Sequence, residues 1–279
     1  MALAAGLLAP VTWGLTGAFV RLLHGLPTLT IVAVRLVIAA LVLAPWAWRR
    51  RAALPAALRS PLAAAMGAYY LFATEAFARM PVVEVTLIVG AAPVIAVGLE
   101  FARGLRPVRQ QLIGAVIAVV GLVMFLRPGK ALSPDQVLGL VFACGAAVTS
   151  AAYAVGLRAC AQAGRPLDPL ALTMIACVIG AGGGFLLLGF TLPVSLLPTP
   201  SVLELLYLVL LGTVCTAVPT LAFGIASGRL PAVLTTSLGL MTPLFAALFA
   251  GVMLGEWPAP AALPGALVAI AGVVVVLRG

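Results

Sequence analysis

Apolar runs of about 20 residues follow one another along the chain, separated by short stretches of charge, proline and glycine. Ten runs fall at 3–24, 28–48, 61–79, 82–102, 107–126, 136–158, 169–191, 201–227, 232–254 and 259–277. Each approaches the length a helix needs to cross roughly 30 Å of hydrocarbon. The connections are too short to hold a soluble domain, so the pattern predicts an all-α, polytopic membrane protein. No basic residues precede the first run, and further spans follow it. It reads as a first transmembrane helix and not as a cleaved leader.

The runs also repeat. RMPVVEVTLIVGAAP at 79–93 and RLPAVLTTSLGLMTP at 229–243 share Arg, Pro, Val, Thr and Pro at matching places, 150 positions apart. GAVIAVVG at 114–121 returns as GALVAIAG at 265–272, and Thr12 and Arg21 find counterparts in Thr149 and Arg158. Glycines seven apart share a helix face, so each pair predicts a close helix contact. Runs one to five and six to ten therefore read as two copies of one unit, at 1–130 and 131–279. Five spans is an odd number, so the second copy enters the membrane from the opposite face. That is an inverted-topology repeat, an arrangement widespread among secondary transporters.

Composition agrees with this reading. Only 8% of the 279 residues are charged and 64% are hydrophobic, whereas a soluble domain carries about a quarter of its residues as charges. The net charge of +9 does not point to nucleic acid, because no basic stripe with interleaved aromatics accompanies it. It reports topology instead. With the N-terminus cytoplasmic, that side receives Arg49, Arg50, Arg51, Arg59, Arg103, Arg106, Arg109, Arg158, Arg165, Arg229 and Arg278. The other side receives Arg21, Arg79, Arg127 and Lys130, and Arg35 falls inside the second run. This excess places both termini in the cytoplasm, with Trp46 and Trp48 as an interfacial anchor. The four cysteines show no metal-ligand spacing and read as small apolar filler.

Trp13–Gly14 in the first run, Pro93 and Pro243 inside the fourth and ninth, and LGE at 254–256 before the last run carry a family likeness. Together with the ten-span repeat, they resemble the drug/metabolite transporter superfamily, in its EamA-domain branch. The resemblance covers essentially the whole chain and implies a bacterial inner-membrane, multi-pass exporter of amino acids or other metabolites. The halves have diverged, however. GLR at 104–106 stands where the second half has LGE, and Arg35 has an apolar counterpart around Ala176.

A transport path needs polar or aromatic groups far from the ends of the spans. The candidates for substrate binding are Thr12, Trp13 and Thr16 in the first run, Tyr70 and Thr74 in the third, and Thr86 in the fourth. The second half offers Thr149, Ser150 and Tyr153, then Thr216 and Thr220 around Pro219, then Ser237 (with Thr236) and Met241. Hydroxyls in membrane helices also bond to their own backbone, so the same residues fit a purely structural role. Arg35, Glu75, Arg79 and Glu84 form a candidate outer gate or zwitterion site. A structural ion network, with Arg35 and Arg79 snorkelling to the interface, fits them as well. Pro93, Pro219 and Pro243 are candidates for bending their helices. His24 reads as a solvated loop residue, and the glycine-rich 180–185 lacks the Lys-Ser/Thr of a phosphate loop and reads as packing.

No nucleophile–base pair lies at depth, which argues against an intramembrane enzyme. No metal or cofactor is expected. The expected partners are the bilayer and a neutral or zwitterionic small molecule, and the expected unit is a monomer. An amino-acid exporter working by alternating access leads. Efflux of toxic compounds is the alternative, and a passive channel stands behind both.

Overall fold

Helix starts in this chain carry their own signals. Ser60, Ser133 and Ser201 each accept a hydrogen bond from a backbone N–H of the following turn, at 3.2–3.3 Å. At Ser133 and Ser201 the third residue on, Gln136 or Glu204, reaches back to the cap N–H and closes a capping box. Asp168 does the same work for the Ala171 N–H at 2.9 Å, with Pro169 at the first helical position.

The computed structural model describes residues 2–104, 108–126, 132–191, 198–227 and 241–278. Among them there are helices and no strands. The helices are α1 (Ala2–Leu22), α2 (Thr28–Arg49), α3 (Leu54–Arg59), α4 (Pro61–Arg79), α5 (Val82–Gly90), α6 (Ala92–Ala102) and α7 (Arg109–Leu126). They continue as α8 (Pro134–Gln162), α9 (Pro169–Thr191), α10 (Val202–Gly212), α11 (Val218–Ser227), α12 (Thr242–Leu254) and α13 (Leu263–Arg278). Between α10 and α11 runs one π turn, Thr213–Ala217.

Seven helical stretches among the described residues are long and apolar enough to span a bilayer, counting α5–α6 and α10–α11 as one stretch each. The run at 61–79 forms a 19-residue helix but is not one of the seven, because Tyr69, Tyr70, Thr74 and Glu75 break its apolar character. The run at 82–102 is two helices and not one bent helix. Ala91 separates them, and Pro93 stands in the first turn of α6, where its missing N–H costs nothing.

The outside of the bundle is apolar. On α7, Leu112, Ile113, Val116, Val119, Val120 and Val123 are about half exposed, as lipid-facing residues are. The opposite face presents Gly114, Ala118 and Gly121 to α13, the partner α7 packs along. A Cβ on Gly121 would lie 2.1 Å from the Ala269 backbone nitrogen, and one on Gly272 would lie 2.2 Å from that of Ala118. The two glycine pairs expected to make close contacts make them with each other's helices, backbone against backbone.

Other pairings follow a pattern. Helix α2 packs on α9, α5 on α12, α1 on α12 and α11, α8 on α6 and α4, α2 on α10, and α9 on α4. Glycines again allow the approach: Gly14 abuts Phe245 and Ala246, Gly67 abuts Gly180, and Gly184 abuts Ala33. The glycine-rich 180–184 lies within an unbroken α9 and serves packing at two of its positions, while a Cβ on Gly182 would meet nothing within 4 Å.

Candidate functional site

The helix pairings bring most of the polar candidates together as two groups. Helix α1 carries Thr12, Trp13 and Thr16 against α11 and the π turn, which carry Thr216 and Thr220. The Trp13 and Phe223 rings lie 5.5 Å apart, centroid to centroid, and Thr16 lies near Cys215. Helix α8, with Thr149, Ser150 and Tyr153, packs on α4, with Tyr70 and Thr74. Tyr153 also lies near Thr173 of α9. Thr86 lies in α5, and Met241 immediately precedes α12, on which α5 packs. Ser237, like Thr236 and most of the second copy of the 79–93 phrase, lies outside the described residues.

Six of the candidate threonines donate to their own helices. Thr12 bonds to the Leu8 carbonyl at 2.8 Å, Thr74 to Tyr70 at 2.8 Å, Thr86 to Val82 at 3.0 Å and Thr149 to Gly145 at 2.9 Å. Thr220 bonds to the Thr216 carbonyl at 2.8 Å, and Thr216 reaches five residues back to Leu211 at 2.9 Å, across the wider π turn. The structural reading of these hydroxyls therefore holds for their hydrogens. Their oxygens keep acceptor capacity, so such a hydroxyl meets a ligand as an acceptor.

The charged candidates separate into two environments. Glu75 is bound on both sides: Thr28 at the start of α2 donates to its Oε1, and Arg79 donates to its Oε2 at 2.9 Å. Arg79 also pairs with Asp135 at the start of α8. Glu84 is half-buried in the first turn of α5. Arg35 stands apart and does not snorkel. It is 2% exposed, and its Cζ lies 5.3 Å from the centre of the Tyr70 ring. The expectation of an interfacial Arg35 fails because α4, α9 and the π turn enclose that face of α2.

A second ion pair at the same end escaped the sequence reading. Arg21, ending α1, binds Glu256 after α12 at 2.9 Å, and Glu256 also accepts from the Val82 N–H at 3.3 Å. At the opposite end Arg50 pairs with Asp168 at 2.6 Å. These partners lie more than 100 residues apart, and no local spacing marks them. Among the described residues no cluster of His, Cys, Asp or Glu could hold a metal.

A small apolar crevice lies elsewhere, where the α5–α6 break meets the start of α12. Leu87, Gly90, Ala91, Ala118, Pro243 and Ile270 line it. Pro243 occupies the first turn of α12, and Pro219 follows the π turn, so both sit at changes of helical geometry.

The model of the EamA-like transporter family matches this chain twice, at residues 1–127 and 137–278. The chain belongs to that family. No curated protein matches it. A solved crystal structure resembles it with 22% identity, a TM-score of 0.66 and coverage of 98% of this chain and 95% of the other, a likeness of fold. As an EamA-like transporter the chain is a multi-pass membrane protein, and its exposed Leu, Val and Phe side chains face lipid. In this EamA-like transporter the ion pairs Arg21–Glu256 and Arg50–Asp168 each join one matched segment to the other, and Arg79 pairs with Asp135 just before the second segment.

Proposed function

We propose that the chain is a secondary carrier that exports small zwitterionic metabolites, amino acids first among them, by alternating access across a bacterial inner membrane. In this reading ten spans form two inverted five-helix repeats, 1–130 and 131–279, with both termini in the cytoplasm and a monomer as the working unit. Spans one and six are α1 and α8, two and seven are α2 and α9, three and eight are α4 and α10–α11. Spans four and nine end in α6 and α12, and five and ten are α7 and α13.

The observation that carries the proposal is the packing scheme. Exchanging the two halves turns α1 on α12 into α8 on α6, α1 on α11 into α8 on α4, and α2 on α10 into α9 on α4. It leaves α2 on α9 and α7 on α13 paired as they are, and α5 on α12 joins span four to span nine. A carrier built this way moves by rocking one symmetric set of contacts against the other. Threonine oxygens that act as acceptors, set among Trp13, Tyr70 and Tyr153, suit an ammonium group on a small amphipathic molecule.

The test is a counterflow panel in proteoliposomes containing amino acids, sugars and lipophilic cations. Saturable exchange of amino acids is expected. Exchange of lipophilic cations alone would make the protein a multidrug efflux carrier, and flux that never saturates would make it a channel.

A further inference from the structure

Arg35 lies seven residues into α2, about 10 Å along a helix rising 1.5 Å per residue. It is 2% exposed, and neither its Nε nor its Nη1 makes a hydrogen bond. No ion pair among the described residues includes it. The ionisable groups close enough to act on its charge are Tyr70, Tyr69, Cys215 and Cys177. None of the chain's seven acidic residues is among them. An arginine at the centre of a membrane helix costs about 3 kcal/mol even on the lenient insertion scale. The Tyr70 ring returns only about 0.5–2 kcal/mol of that. A desolvated cation with two idle donors is an incomplete arrangement, and what it lacks is an anion.

The surroundings point the same way. Cys215 belongs to the π turn Thr213–Ala217, and π turns within helices are frequent at functional sites. Gly212, just before that turn, brings α10 against the α2 backbone: a Cβ there would sit 2.7 Å from the Arg35 carbonyl oxygen. Cys215 also touches Thr16 of α1, so the arginine, the π turn and the polar face of α1 are contiguous. Among the described residues, the groups that act on Arg35 include no second cation. One guanidinium alone balances one negative charge, and its planar donors match a carboxylate.

We propose that Arg35 is the anion anchor of the transport path, taking the carboxylate of the carried metabolite between the Tyr70 ring and the π turn. This rests on the carrier reading above and narrows its substrates to monocarboxylates. The threonine oxygens near α1 then receive the ammonium of an amino acid, and a molecule without a carboxylate leaves the arginine unpaired.

The experiment compares free amino acids with their carboxamides as counterflow substrates in proteoliposomes, for the wild type, Arg35→Gln and Arg35→Lys. The wild type should prefer the acid over its amide by at least about tenfold, the value of a charge-assisted hydrogen bond. Arg35→Gln should abolish that preference, and Arg35→Lys should keep it with a raised KM. Melting curves identify any variant that fails to fold. If Arg35→Gln does not fold, the wild-type preference and the KM of Arg35→Lys decide. Equal rates for acid and amide in the wild type, or an undiminished preference in Arg35→Gln, would overturn the assignment. So would a requirement for chloride in place of the substrate's carboxylate. Saturable flux of amides and acids alike defeats the anchor alone, whereas no saturable flux of any probe defeats the carrier reading and the anchor with it.

Discussion

Thr12 has given its hydrogen to the Leu8 carbonyl, so replacing it by valine removes little that holds the helix. Swapping a buried hydroxyl for a methyl of the same shape is close to neutral when the carbonyl it leaves keeps its own helical bond. Thr12→Val should therefore melt within about 1 kcal/mol of wild type while raising the KM for an amino acid several-fold. An unchanged KM would return Thr12 to a purely structural role. The aromatic candidates are tested by truncation. Trp13→Ala loses its contact with Phe223, and Tyr153→Ala its ring beside Thr173. Both should slow transport with folded protein still recovered by gel filtration, and wild-type flux in both would remove them from the path. Which residues to try was legible in the sequence, because polar groups stand out in an apolar span. How each spends its hydrogen bonds was not, since that depends on rotamer and on the neighbouring helix. The surroundings of Arg35 were hidden for the same reason: Tyr70, Cys177 and Cys215 reach it from three other elements.

At the scale of elements, the α7–α13 seam shows what a periodic signal reveals. The glycine spacing announced a close contact, and the contact is between backbones. In Gly272→Ala the new methyl would meet the Ala118 nitrogen at 2.2 Å, and in Gly121→Ala the Ala269 nitrogen at 2.1 Å. Neither neighbour can swing aside, so the helices must part, at a cost of about 1–3 kcal/mol. Thermal melting in detergent should show the loss. Gly182→Ala, with nothing within 4 Å, should match wild type or gain up to about 1 kcal/mol from helix propensity. Equal melting of all three would mean that the seam is not tight. Helix boundaries were legible because charges, prolines and capping residues mark them: α2, α4 and α9 begin where the runs at 28, 61 and 169 do. The sequence does not separate a bend from a break at Ala91, because Pro93 fits either the middle of a bent helix or the first turn of a new one. The π turn carries no residue signature at all.

For the whole molecule, the ion pairs divide between two ends. Arg21–Glu256 and Arg79–Asp135 tie α1 to the segment after α12 and α4 to α8 at one end, and Arg50–Asp168 ties α2 to α9 at the other. Partly exposed pairs add little to stability, so their expected role is to register closed ends. In a background without the four native cysteines, a short thiol crosslinker across positions 79 and 135 should stop counterflow, and so should one across 50 and 168. Cleaving a reducible linker should restore it. Full flux with either end tied would exclude alternating access. The depth of Arg35 has an electrical consequence. A unit charge a third of the way through a bilayer at 100 mV carries about 0.8 kcal/mol of field energy, and a carrier holding an amino acid reorients with the same single positive charge as an empty one, because the substrate brings an ammonium with its carboxylate. Both halves of the cycle should therefore respond to membrane potential when an amino acid is carried, and only a monocarboxylate without an ammonium should make the loaded half electroneutral. A potassium diffusion potential should then alter counterflow of an amino acid and leave counterflow of a monocarboxylate without an ammonium unchanged.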